Sequence, residues 1–185
     1  LDIRYELYPC EGEILTIGLF LKYFKNPIEQ FYNEGAGGAS TFSYQNVNQA
    51  ISKGIEIEVR KKLDFSRIFR KFTFQANASI ISSKVSDKNF GINRIMQGQS
   101  PYVLNMGLQY DLPKKGINAT LLFNQIGQRI YLVGDLSSGA GSPDIYEAAR
   151  PLFDFQVSKK FSNKKAELKL SISDLLNATQ YFYQN

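Results

Sequence analysis

Hydrophobic side chains recur at every second position along most of this sequence, a spacing that gathers them on one face of an extended strand. The clearest stretch sets Tyr102, Leu104, Met106, Leu108, Tyr110 and Leu112 against Val103, Asn105, Gly107, Gln109 and Asp111. The same split appears at Ile55, Ile57, Val59; at Phe72, Phe74, Ala76, Ala78, Ile80; at Ile117, Ala119, Leu121, Phe123; at Phe153, Phe155, Val157; and at Leu168, Leu170, Ile172. Ile3, Tyr5, Leu7 and Ile17, Leu19, Leu21, Tyr23 complete eight predicted strands. No segment keeps a helical period, so the chain is read as all-β.

The connections alternate in length. Short polar turns are expected at 10–13, 64–71, 113–116 and 162–165, and long Gly-, Ser- and Asn-rich segments at 27–50, 87–98 and 131–150. Strands of about ten residues or more, joined by short then long loops, are the pattern of an antiparallel up-and-down transmembrane β-barrel. A soluble sandwich or lipocalin-like barrel keeps its apolar face inside and has no reason to sort its loops by length.

Composition narrows the function. Unbroken apolar runs reach only four residues and mean hydropathy is -0.26, so no helix long enough to span a bilayer can form. There is no histidine and a single cysteine, Cys10. That excludes Ser/His/Asp and Cys/His triads, a histidine general base and a Cys/His zinc site, and no metal, cofactor or catalytic residue is expected. Lipase-type and protease-type outer-membrane enzymes need the missing histidine. Glu56 and Glu58 share a face, but with no cleft signal they read as an electrostatic wall.

Aromatic residues cluster toward the two ends of the strands. Tyr23, Phe24, Tyr102, Tyr131 and Phe153 fall near the long loops; Tyr8, Phe65, Phe69, Phe72, Tyr110 and Phe161 fall near the short turns. Two such belts suit the two interfaces of a bilayer. The 22 basic residues exceed the 17 acidic ones. Twelve bases (Arg60, Lys61, Lys62, Arg67, Arg70, Lys71, Lys114, Lys115, Lys159, Lys160, Lys164, Lys165) sit at or beside short turns. The pI near 9.2 therefore reads as a basic rim against anionic lipid headgroups, and no nucleic-acid partner is expected.

Beyond these patterns, a succession of segments carries a family resemblance: DIRYELYP (2–9), GLFLKYFKNPIEQ (18–30), NQAISKGIEIEVRKKL (48–63), QGQSPYVLNMGLQYDL (97–112), FNQIGQRIYLVG (123–134), PDIYEAARPLFDFQVSKKF (143–161) and LKLSISDLLNATQYFYQ (168–184). Together they resemble the C-terminal part of the TonB-dependent outer-membrane receptors of Bacteroidetes. The resemblance implies an outer-membrane location in a Gram-negative cell and a 22-stranded barrel filled by an N-terminal plug. It implies import of a siderophore, cobalamin, glycan or peptide with energy passed through TonB, and a surface lipoprotein as a further partner. With short turns periplasmic, both ends of residues 1–185 point outward. The segment is then expected to be a single eight-strand slice of the barrel, lacking plug, TonB box, earlier strands and final strand. A passive porin, which would carry a constriction loop, is the alternative.

Candidate ligand contacts are Tyr32, Tyr44, Arg94, Tyr131 and Tyr146 in the long segments. Flexible GAGGAS (35–40) and SSGAGSP (137–143) beside aromatic anchors suit binding loops. Arg94 is read either as a two-point partner for an anionic ligand or as the partner of a neighbouring acid. Glu56, Glu58, Asn77, Asn105, Gln109 and Asp111 are expected to face the lumen.

Overall fold

The structure, a computed structural model, describes residues 1–34, 39–87, 92–134, 142–161 and 165–184. Among them fourteen strands run in chain order: β1 (Asp2–Leu7), β2 (Ile14–Lys25), β3 (Ile28–Glu34), β4 (Ser40–Asn46), β5 (Gln49–Lys62), β6 (Phe72–Asp87), β7 (Ile92–Arg94), β8 (Tyr102–Leu112), β9 (Ile117–Ile126), β10 (Arg129–Gly134), β11 (Ile145–Glu147), β12 (Arg150–Phe161), β13 (Ala166–Ile172) and β14 (Phe182–Gln184). Eight of them, in the order β1-β2-β5-β6-β8-β9-β12-β13, form one antiparallel meander, with β7 paired to β6. These are the eight strands expected from the alternation, and they form an open wall, not a closed barrel.

Register carries the alternation across the wall. Ile3, Leu19, Ile55, Ile80 and Tyr102 lie opposite one another on successive strands, as do Tyr5, Ile17, Ile57, Ala78 and Leu104. This apolar face is uncovered: Ile17, Leu19, Leu21, Ile55, Ile57, Leu168, Leu170 and Ile172 are 42% to 67% exposed. Leaving one such side chain in water forgoes about 1.5–3 kcal/mol, so the face requires an apolar solvent. The other face is polar. One of its rows runs through Glu6, Thr16, Glu58, Asn77, Asn105 and Asn124.

Short turns close the wall at one end. Between β5 and β6, Phe65, Phe69, Phe72 and Tyr110 form a string of rings 4.8–6.1 Å apart. Gly116, at a φ of 64°, closes the turn after Lys114 and Lys115. In the turn before β2, the buried Glu13 accepts hydrogen bonds from Lys61 Nζ at 2.9 Å and from the Lys62 backbone N–H at 3.1 Å. The Lys61 hydrogen bond is the largest of the influences that hold the Glu13 carboxyl below its usual range. Lys164, placed by sequence on the basic rim, lies outside the described residues.

The long segments depart from the expectation of irregular loops. Segments 27–50 and 131–150, with residues 182–184, supply a second sheet of five strands, β14-β11-β10-β3-β4, in which β10 and β3 run parallel, while 87–98 adds β7 to the wall. Three of the six strands outside the wall have only three residues, too few for a period to register. β3 buries both parities, with Glu29, Phe31 and Tyr32 all 5% exposed or less, so it never alternates.

Candidate functional site

The second sheet caps the wall at the long-loop end. Its apolar cluster of Phe31, Val47, Ile130 and Val133 closes against Ala50 of β5 and Val85 of β6. Ala50 pairs with Val85, and Ala50 shares its parity with Ser52, Glu56 and Glu58. Met96 donates its backbone N–H to Ser83 Oγ at 3.2 Å, on the same side. The cap therefore leans over the polar face of the wall.

Buried charge fixes it there. Glu29 accepts Arg94 Nη1 at 3.1 Å, Arg94 Nη2 at 2.6 Å and the Gln97 backbone N–H at 3.1 Å. The Gln97 amide reaches on to the backbone oxygens of Gln30 and Tyr131, each at 3.0 Å, and accepts from the Gln30 N–H at 2.8 Å. On the far side, Arg129 Nε donates to Glu147 Oε2 at 2.8 Å, while Gln180 Nε2 donates to Glu147 Oε1 at 2.9 Å. Tyr32 receives a hydrogen bond from Gln184 Nε2, 152 residues away in sequence.

Each candidate ligand contact has its place in this cap. Arg94 is held by Glu29, the second of its two sequence-based readings. Tyr32 is 3% exposed and bonded to Gln184, so it supports the cap from within. Tyr44 lies on the outer edge strand β4 and is 72% exposed. Tyr131 packs its ring 4.8 Å from Phe182, and Tyr146 stacks on Tyr183 at 5.7 Å. Burial, then Asp144 and Tyr183, push the Tyr146 phenol above its usual range. GAGGAS lies largely outside the described residues, as does most of SSGAGSP.

Along the polar face, Asn105 donates to Asn77 Oδ1 at 2.7 Å and accepts from Asn124 Nδ2. Arg4 Nη2 reaches Glu58 Oε2 at 3.3 Å. Glu56, Gln109 and Asp111 share this face opposite Ser79, Thr120 and Asn118. Sequence reasoning missed Glu29, Gln97 and Phe182. For Glu29, the available signal was an acid between Ile28 and Phe31 with one arginine in another long segment. Among the described residues no group of acidic or cysteine side chains could hold a metal ion.

An exposed apolar face, a polar face behind it and a cap of long loops at one end call for comparison with known barrels. Residues 3–185 match the outer membrane protein beta-barrel family. The chain belongs to that family. It is an outer-membrane protein, and its wall is part of a transmembrane barrel. No curated protein matches it. Among solved structures it is similar to a mutant of the ferric enterobactin receptor PfeA of Pseudomonas aeruginosa, with a TM-score of 0.63 and 16% identity. The match covers 95% of this chain and 25% of that one. At that identity the likeness is one of fold, and this family member spans about a quarter of the receptor it matches.

Proposed function

We propose that the chain forms wall and external mouth of a TonB-dependent importer that captures a scarce nutrient and passes it inward. The observation that carries this reading is the cap: strands from 28–46, 129–147 and 182–184 fold into one sheet that leans over the polar face of the wall. A mouth built that way can hold a solute before translocation. On this reading Glu56, Glu58, Asn77, Asn105, Gln109 and Asp111 line the lumen, and residues 1–185 are one segment of the C-terminal barrel. Tyr44 and Tyr131 are the contacts open to a ligand, while Tyr32, Tyr146 and Arg94 hold the cap in place. TonB would act through a plug outside this segment, and a surface lipoprotein would sit over the mouth. The motif succession from DIRYELYP to LKLSISDLLNATQYFYQ supports a source in the Bacteroidetes. The similarity to a ferric enterobactin receptor supports the receptor class. The lack of histidine argues against an enzyme of the lipase or protease type.

One observation favours a passive porin instead: a cap on the polar face could serve as a constriction. Solute uptake by cells with and without TonB, together with conductance in planar bilayers, separates the two. Uptake that stops without TonB is expected; steady ion conductance by the protein alone would establish the porin.

A further inference from the structure

We propose that the outside of the wall, at the outer edge of its apolar band, holds a phosphorylated glycolipid of the outer leaflet on Lys25, Lys53 and Lys84. Register fixes their side. Lys53 lies opposite Leu21 and Ser82, and Lys84 lies opposite Ile51, which in turn faces Tyr23. Lys25 lies opposite Gln49, which faces Ser86. All three lysines share the parity of Leu19, Ile55 and Ile80, the apolar face, and all three are exposed. The other residues of β2, β5 and β6 on that face are uncharged, apart from Lys61, which is bound to Glu13 at the opposite end. None of the three lysines meets a carboxylate among the described residues.

Height sets the leaflet. From Phe72, in the ring string at the short-turn end, to Ser82 is about 33 Å of strand at about 3.3 Å per residue. A tilt of about 40° reduces this to about 25 Å, the height of the apolar band of such a barrel. Lys53, opposite Ser82, therefore stands at the outer edge of the band, with Lys84 and Lys25 just beyond it. Short turns face the periplasm and long loops the exterior in these barrels. The patch thus meets the leaflet opposite to the one that the basic rim of the short turns meets, and in a Gram-negative outer membrane that leaflet presents phosphorylated sugars.

The patch suits a broad head. Its three adjacent strands span about 10 Å, which a phosphorylated sugar pair reaches across and a single phosphodiester does not fill. The Tyr23 hydroxyl, which donates to Gln49 Oε1 at 3.1 Å, and the hydroxyls of Ser82 and Ser86 lie among the lysines and can bond sugar hydroxyls. A lysine at this depth can lay its apolar stem along lipid and bring its ammonium to a phosphate at the interface.

The test is native mass spectrometry of the detergent-solubilised protein after incubation with bisphosphorylated lipid A, its dephosphorylated form, phosphatidylglycerol or inorganic phosphate. The parent should retain bisphosphorylated lipid A in preference to the other three. Lys25→Gln, Lys53→Gln and Lys84→Gln should each weaken retention about fivefold, and together about a hundredfold. Arginine at all three positions should hold retention within about threefold of the parent. Removing equal charge at the short-turn end, by Lys71→Gln, Lys114→Gln and Lys115→Gln combined, should leave it unchanged. Dephosphorylated lipid A, phosphatidylglycerol or phosphate retained as well as the bisphosphorylated form would overturn the proposal. So would a triple Gln variant that binds as well as the parent, or an equal loss on discharging the short turns. The parent alone distinguishes the four probes, so a variant that failed to fold would not shield the proposal.

Discussion

Arg94 meets Glu29 in a two-point ion pair with 15% and 5% of the two side chains exposed. It ties the segment before β8 to the strand β3 of another hairpin, and so clamps the cap to the wall. Removing one partner of such a pair leaves a buried charge, at a cost of about 3–5 kcal/mol. Arg94→Ala should loosen the cap while the wall keeps its stability, because the backbone pairing of Arg94 with Val85 on β6 survives the truncation. Hydrogen exchange checks this: faster exchange confined to β3, β4 and β10 is expected, and uniform acceleration through β5 and β6 would contradict the division.

Phe20 lies across Gly54 on the polar face. A Cβ at Gly54 would come 2.7 Å from the Phe20 ring and closer still to the Ile80 carbonyl oxygen. Gly54→Ala should therefore destabilise the wall by about 1–3 kcal/mol, as overpacking does. Adding Phe20→Ala should recover only the ring's share, because the Ile80 contact is backbone. The heat needed to unfold the barrel on a denaturing gel reads both variants.

The two faces should respond oppositely to charge. Leu19→Arg places a guanidinium in lipid and should cost about 2–4 kcal/mol near the bilayer midplane, whereas Ser79→Arg, on the polar face, should cost little. Urea titration of the protein in vesicles compares them; equal losses would mean that the apolar face is not the lipid face.

The short-turn end should be sensitive to acid. The Glu13 carboxyl is held below the ordinary value of 4.5 by Lys61. A lowered folded-state pKa adds stability that is complete above the unfolded value and disappears as pH falls through the folded one. The melting temperature of the parent should thus exceed that of Glu13→Gln at pH 7, and the gap should close as pH falls through and below the ordinary carboxylate range. A gap that did not change with pH across the acid range would assign the difference to packing.

The wall was legible because lipid solvates one side of every long strand, so β8 alternates along its eleven residues and β9 from Ile117 to Phe123. The cap was not, and the reasons are local. β3 is covered on both sides, β4 is exposed along its whole length, and β7, β11 and β14 are too short to show a period. Arg94 could be narrowed to an acid or a ligand from sequence. Only the fold brings Glu29 to it, since the two residues are 65 apart in the chain.

The parallel ladder between β3 and β10, with the Tyr32–Gln184 bond beside it, joins three loops that the wall alone would leave independent. Surface loops ordinarily drift freely among relatives. Here an insertion in one must be accommodated by strands borrowed from the others, so new specificities in this lineage should arise through concerted replacement of all three loops.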